Sequence, residues 1–302
     1  MQHARSDPGR RRAGGWFRDF EYRHPQLGPF FRLSPALAAF LFVYVAALVV
    51  LFISAFWTVN EFTGELEHTW TTANFQTLWS SSAYHVIALR TIGIAAAVTV
   101  ADALLAFPIA YFMARIASSR LRTALFVAVL LPLWSSYLLR VYAWRLILDH
   151  DGLLNWTLEK LGLPAANIAY SNTAVWLVFT YIWLPFMIVP VYAALERIPR
   201  STIEASSDLG ARGPRTFRSV ILPLALPGVV AGSIFTFALT LGDYITPTLV
   251  GGTNSEFIGN VVYENVGVSS NVPFAAAYAT VPVVVMAIYL VIAKRLGAFE
   301  AL

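Results

Sequence analysis

From Leu33 to Asn60 the chain runs without a single charged residue and is mostly apolar. The hydrocarbon core of a bilayer is crossed by roughly 20 helical residues, so a run of this length predicts a membrane span. It is too long, and begins too late, for a cleaved leader, and no small-residue cleavage site leads from it into a soluble domain; it is expected to be retained. Further apolar runs give a set of spans at about 33–57, 91–113, 123–143, 173–195, 219–245 and 274–293. Backbone polar groups find no water in lipid, so each run must be helical even where Pro108, Pro132, Pro185, Pro190, Pro223, Pro227 or Pro282 interrupts it. Those prolines predict kinks. The expected fold class is an all-α membrane protein with about six transmembrane helices.

Composition agrees with that class. Of 302 residues, 58% are hydrophobic and 13% charged, where soluble domains carry about a quarter charged. The absence of cysteine excludes disulfide frameworks, thiolate metal sites and cysteine nucleophiles. The net charge of +4 and pI of about 9.4 could point to nucleic acid, but the distribution of the charges decides otherwise. With the N-terminus inside, inner segments hold Arg5, Arg10, Arg11, Arg12, Arg18, Arg23 and Arg32, then Arg115, Arg120 and Arg122, then Arg197, Arg200, Arg212, Arg215 and Arg218, and finally Lys294 and Arg295. Only Arg90, Arg140, Arg145 and Lys160 fall on the outer side or at helix ends, beside Glu61, Glu65, Glu67, Asp149, Asp151, Glu159, Glu256 and Glu264. Basic loops stay in the cytoplasm, so both termini are expected there and no nucleic-acid role follows. The organisation expected is a basic cytoplasmic segment 1–32, a transmembrane domain 33–295 and a cytoplasmic tail 296–302. The outer loops from about Thr58 to Tyr84 and from Leu146 to Asn172 are long enough for short interfacial helices.

The inner loop 196–218 is the most unusual stretch. Pro199 ends the preceding helix, Ser201 or Thr202 can cap a new one, Glu204 falls in its first turn near the positive end of the dipole, and Gly210, Gly213 and Pro214 are suited to stopping it. From these residues alone it reads equally well as an ordinary interfacial helix joining two spans.

Glu204-Ala205-Ser206, then Gly210 after three residues and Leu222-Pro223 beyond it, resembles the EAA loop of the ABC importer permeases, whose pattern is E-A-A, three residues, G, nine residues, I, one residue, L-P. Ser206 replaces the second alanine and Val220 stands at the isoleucine. The stretches Leu131–Trp144, Tyr181–Pro199 and Leu241–Gly252 look like the spermidine/putrescine branch of that family. The resemblance implies a type I importer permease fold with a short cytoplasmic coupling helix between the fourth and fifth spans, in the bacterial inner membrane. It also implies that Glu204, Ala205, Ser206, Gly210, Leu222 and Pro223 couple the chain to an ATPase. The implied partners are a dimer of ATP-binding subunits, a second permease subunit and a periplasmic substrate-binding protein. No cofactor or catalytic residue is then expected on this chain; ATP and magnesium belong to the partner.

Ionisable side chains at membrane depth are costly and mark pathways or buried pairs. Asp102 lies near the middle of the second span and Asp243 near the outer end of the fifth, beside Tyr244. On the third span Trp134, Tyr137, Arg140 and Trp144 share one helical face. For a cationic solute such as a polyamine, Asp243, Tyr244, Asp102, Trp134 and Tyr137 are the expected pathway residues, while Arg140 favours a structural group on the same face. An opine, ferric iron or a phosphonate is the alternative cargo. A secondary transporter would need neither the EAA-like loop nor an ATPase, and no inverted repeat is found in the sequence to support one. A membrane enzyme lacks H-E-x-x-H and G-x-S-x-G, and the five histidines have no metal-ligand spacing.

Overall fold

The computed structural model describes residues 28–60 and 63–295; the expected tail 296–302 and nearly all of the basic segment 1–32 lie outside them. The chain divides into two compact units at Ile53 and Ser54. The first contributes α1 (Gly28–Ser54), the charge-poor run from which the sequence reading began. Everything below belongs to the second unit.

That unit is helical apart from one antiparallel pair, β1 (Thr58–Val59) and β2 (Leu66–Glu67), with Thr58 opposite Glu67. The helix α2 (Ala73–Ser80) follows, then the long α3 (Ser82–Tyr111), which continues through a wider π turn at Phe112–Ile116. This span begins nine residues earlier than charge alone indicates, because Arg90 lies on the side of the helix and not at its end. Its Nη1 donates to the Glu256 carbonyl at 3.1 Å.

The third apolar run departs most from expectation. In place of one span at 123–143 there are α4 (Ser119–Leu130), running into a 3-10 turn at Leu131–Trp134, and α5 (Tyr137–Leu148), followed by α6 (Leu153–Lys160). The two halves, Ser119–Trp134 and Tyr137–Lys160, are bent 94° apart. Pro132 cannot continue the hydrogen-bond ladder, Ser135 and Ser136 adopt extended ψ angles of 154° and 131°, and Ser135 Oγ donates to the Pro132 carbonyl at 2.7 Å.

The fourth apolar run forms α7 (Asn172–Arg197), capped by Ser171 Oγ accepting from the Ala174 amide at 3.2 Å. A short helix α8 (Arg200–Asp208) comes next. Then α9 (Gly213–Thr216) passes through a second π turn at Phe217–Ile221 into α10 (Leu222–Gly242). The small helices α11 (Ile245–Val250) and α12 (Ile258–Gly267) precede α13 (Val272–Arg295). With α1 of the first unit counted, five helices among the described residues are long and apolar enough to cross a membrane, or six if the bent pair forms one span.

The core lies where α3, α7 and α10 meet. One buried cluster joins Val98 of α3 to Val175, Phe179 and Trp183 of α7 and to Phe257; another joins Ala106, Ala110 and Met113 to Met187, Val191, Leu195 and Ala225. Small residues let α10 approach α7 closely. A Cβ on Gly228 would stand 2.5 Å from Ala194 Cβ and 2.6 Å from the Pro190 carbonyl, and one on Gly232 would stand 2.6 Å from Met187 Sδ. Their spacing of four residues is the small-residue pattern that brings membrane helices together through van der Waals contact.

Candidate functional site

Two regions of the unit carry the residues singled out from the sequence, and they lie at opposite ends of the core helices. At one end the hairpin α8–α9 separates α7 from α10, surrounded by Arg115, Arg122, Arg197, Arg200, Arg212, Arg215 and Arg218.

The hairpin starts one turn earlier than its polar residues indicate. Pro199 occupies the N-cap position without a side-chain bond, and Arg200 is the first helical residue. Ser201 and Thr202 are therefore inside the helix, and Glu204 is past its first turn, so neither hydroxyl caps it and the carboxylate has left the strongest part of the dipole. The C-terminus is built as the glycine predicts. Gly210 takes φ +79°, its amide donates to the Ser207 carbonyl at 2.8 Å, and the Ala211 amide donates to the Ser206 carbonyl at 3.1 Å. These are the two bonds of a Schellman ending, which needs a left-handed residue at that point.

Ser206 turns toward the molecule: its Oγ lies 3.1 Å from Oγ1 of the buried Thr216, tying α8 to α9. Glu204, Ala205 and Asp208 are exposed, and Leu209 is 90% exposed. The hairpin thus presents an acidic and apolar outer face without a partner from the described residues. Leu222 and Pro223 sit where the π turn gives way to α10, at the point where the Leu222 amide reaches back to the Phe217 carbonyl.

Two arginines fix the mouth of this hairpin. Arg115 Nη2 donates to the carbonyls of Leu195 and Ile198, each at 2.6 Å. Arg122 Nε donates to the Met113 carbonyl at 3.1 Å, and its Nη1 lies 3.4 Å from Glu196 Oε1. Both donate to carbonyls near helix ends, where the backbone ladder runs out; that of Leu195 otherwise receives only the Ile198 amide, at 3.4 Å. From the sequence these arginines read only as topology signals. Nothing in the spacing marks Arg115 as a carbonyl clamp, since Leu195 and Ile198 are far along the chain, and Arg122 reaches back across the turn to Met113.

At the other end, Asp243 terminates α10. Its Oδ1 accepts from the amides of Ile245 at 2.8 Å and Thr246 at 3.1 Å. Oδ2 accepts a short hydrogen bond from Tyr137 OH, and Thr246 Oγ1 stands 3.5 Å from it. Tyr137 stacks on Trp183 with ring centroids 5.8 Å apart, and the Arg140 guanidinium lies 5.9 Å from the Tyr137 ring. Tyr137, Trp183, Asp243, Tyr244 and Ile245 line an open recess of about 330 Å³. Tyr244 is held by Tyr263, stacked at 4.3 Å, and by Asn260 Nδ2 donating to its carbonyl at 3.0 Å.

Of the five residues expected on the pathway, the fold brings together Tyr137, Asp243 and Tyr244. It does not add Trp134, which precedes the break at Ser135 and is 91% exposed, so the single helical face drawn through Trp134, Tyr137, Arg140 and Trp144 does not exist. Asp102 lies elsewhere on α3 and is fully buried, with no hydrogen-bond partner for either carboxylate oxygen among the described residues. One turn before it Thr99 lies 3.4 Å from Thr236 of α10, and one turn after it Ala106 packs with Met187 and Ala225. Trp183 and the glycine pair Gly228 and Gly232 were not singled out from the sequence; the G-x-x-x-G spacing was a signal for the latter.

The profile of the binding-protein-dependent transport system inner membrane component family matches residues 106–298. The chain belongs to that family. This permease is 47% identical to the inner membrane ABC transporter permease protein YdcU of Escherichia coli K12, covering 98% of the chain and 97% of that relative. It is 33% identical to the spermidine/putrescine transport system permease protein PotB of Haemophilus influenzae, over 70% of the chain and 74% of PotB. Among solved structures it is similar to a bacterial alginate ABC transporter in complex with an alginate pentasaccharide-bound periplasmic protein, with TM-score 0.72, 16% identity and coverage of 94% and 97% of the two chains. The MetNI methionine ABC transporter in an inward-facing conformation matches with TM-score 0.54 at 19% identity, over 71% of the permease and 96% of that chain. The permease has the type I ABC importer fold and is an inner-membrane transport subunit.

Proposed function

We propose that this importer permease forms half of the pathway for a small organic cation of the polyamine class, and that α8 is its coupling helix on the cytoplasmic side. The observation that carries the coupling role is the exposed face Glu204, Ala205 and Leu209 on a helix clamped at both ends. A protruding helix of this kind fits a groove on a separate ATP-binding subunit, with which a second permease chain and a periplasmic substrate-binding protein would complete the transporter. Closure of the ATP-binding subunits would move the hairpin, and α7 and α10 would carry the movement toward the recess.

The cargo reading rests on the relatives of the spermidine/putrescine branch and on a carboxylate beside aromatic rings, a combination that attracts ammonium groups. Asp243 is held by hydrogen bonds in this conformation, so an amine must exchange with Tyr137 or Thr246 to reach it. Asp102 would enter the pathway only in a conformation that parts α3 from α7 and α10.

Two experiments test the parts separately. Glu204→Lys places a cation on the docking face and is expected to lower ATP-dependent uptake at least about tenfold at equal expression, by opposing a complementary contact; full activity would defeat the coupling role. Calorimetric titration of putrescine and spermidine into the co-encoded periplasmic protein tests the cargo. No heat with either amine, against binding of an opine, ferric iron or a phosphonate, would replace the cargo and leave the importer untouched.

A further inference from the structure

The two π turns found among the described residues both stand at the mouth of the coupling hairpin. In the first, the Ala117 amide reaches the Phe112 carbonyl, and in the second the Leu222 amide reaches the Phe217 carbonyl, each five residues back. Such turns are uncommon and concentrate where a helix must place a side chain off its regular register. Each does so here. The first carries Arg115, whose Nη2 closes on the carbonyls of Leu195 and Ile198, the last turn of α7 and the residue before Pro199. The second carries Phe217, whose ring meets Phe107 edge-on at 5.5 Å and Tyr111 at 6.5 Å. Arg115, Phe107 and Tyr111 all belong to α3 and its π extension. The chain entering the hairpin and the chain leaving it are therefore both fastened to the same helix, although α3 is not adjacent to α8 in sequence.

We infer that Arg115 and Phe217 are positioning residues that mount the coupling hairpin on the second span, so that a displacement of α8 is delivered to α3 as a rigid-body movement and not only to α7 and α10, which are covalently joined to it. A hairpin joined to the bundle only through the chain at Pro199 and after Thr216 could swing about those two points and lose part of its displacement. Guanidinium bonds of 2.6 Å at one mouth and an aromatic contact at the other remove that freedom. This inference rests on the coupling role assigned to α8.

The test uses the assembled transporter and takes advantage of the absence of cysteine in this chain. Spin labels are placed at Ser119→Cys, just beyond the π extension of α3, and at Ser201→Cys on α8; both positions are exposed. Pulsed electron resonance then measures their separation without nucleotide and with trapped ATP. A rigid mount predicts a change below about 2 Å with a narrow distribution. With Arg115→Ala and Phe217→Ala combined, the same transition is expected to shift or broaden the separation by about 5 Å, the scale of a helix slipping past its neighbour. Arg115→Lys on the Phe217 background, which keeps a donor at the same place, is expected to restore the narrow distribution.

A separation that already changes by several ångströms in the parental transporter would overturn the mount without requiring any variant to fold. Failure of the coupling role is read independently. If Glu204→Lys complexes keep both the ATP-binding subunit and uptake, α8 is not the coupling element. If that variant is inactive but the parental labels separate, only the mount is lost.

Discussion

Asp102 and Asp243 are both carboxylates set into apolar helices, and the fold treats them in opposite ways. Asp243 sits at a helix end, where free amides point at it, and it is bonded to Ile245, Thr246 and Tyr137. Asp102 sits mid-helix, where every neighbouring amide is already used by the α-helical ladder, and neither of its oxygens finds a partner among the described residues. Burying a polar group without compensation costs free energy, so the two positions differ in what they offer an acid: two amides and a hydroxyl at Asp243, and no hydrogen-bond partner among the described residues at Asp102. An intramembrane acid is therefore not one kind of signal. Its place along the helix decides whether it joins two elements or is left without a hydrogen-bond partner among the described residues.

The largest effect that would sharpen this contrast comes from putting a permanent charge at the mid-helix position. Asp102→Lys is expected to abolish accumulation of the folded permease, because a longer, cationic side chain replaces a fully buried one at a position where no described residue offers a hydrogen-bond partner; normal membrane levels on immunoblot would show that the crossing tolerates a cation. Next is Asp243→Ala, which leaves the amides of Ile245 and Thr246 without this acceptor and the Tyr137 hydroxyl with Thr246 Oγ1 as its remaining partner. Thermal unfolding in detergent should reveal a loss of about 2–4 kcal/mol, with uptake reduced at least tenfold. Tyr137→Phe removes one of those bonds while keeping the stack on Trp183, and a loss of about 1 kcal/mol is expected. A drop as deep as that of Asp243→Ala would place the weight of the site on the tyrosine.

The smallest effect is expected from Asp102→Asn. The amide has nearly the shape of the carboxyl and the change breaks no hydrogen bond among the described residues, so stability and uptake should stay within about twofold of the parent, a difference under 1 kcal/mol. A tenfold fall in uptake at equal expression would break the comparison, since it would mean that Asp102 ionises during transport.

Much of the architecture was legible before any coordinate. The spans containing Asn172–Arg197 and Val272–Arg295 follow from apolar length, and the glycine ending of the hairpin follows from the one residue type that tolerates φ +79°. What misled was the same kind of reasoning applied where two signals compete. The apolar run through Leu131 and Tyr137 has the length of a span, yet Pro132 and two serines break it, and hydropathy does not weigh a lost hydrogen bond against a gained methylene. Arg90 looked like a helix boundary because a charge was assumed to end a span, whereas its long side chain reaches a carbonyl on another segment.

The sequence by itself determined that this is a membrane protein of about six helices with a short, glycine-terminated helix between the fourth and fifth, because apolar length, proline and glycine act locally. Only the tertiary structure decided that Tyr137 meets Asp243, that Asp102 finds no hydrogen-bond partner among the described residues, and that Arg115 closes on carbonyls near Pro199. Those outcomes depend on how α3, α7 and α10 cross, which is set by close contacts such as those of Gly228 and Gly232 between residues far apart in the chain. Local chemistry names the groups that need partners, and packing chooses which of them receive one.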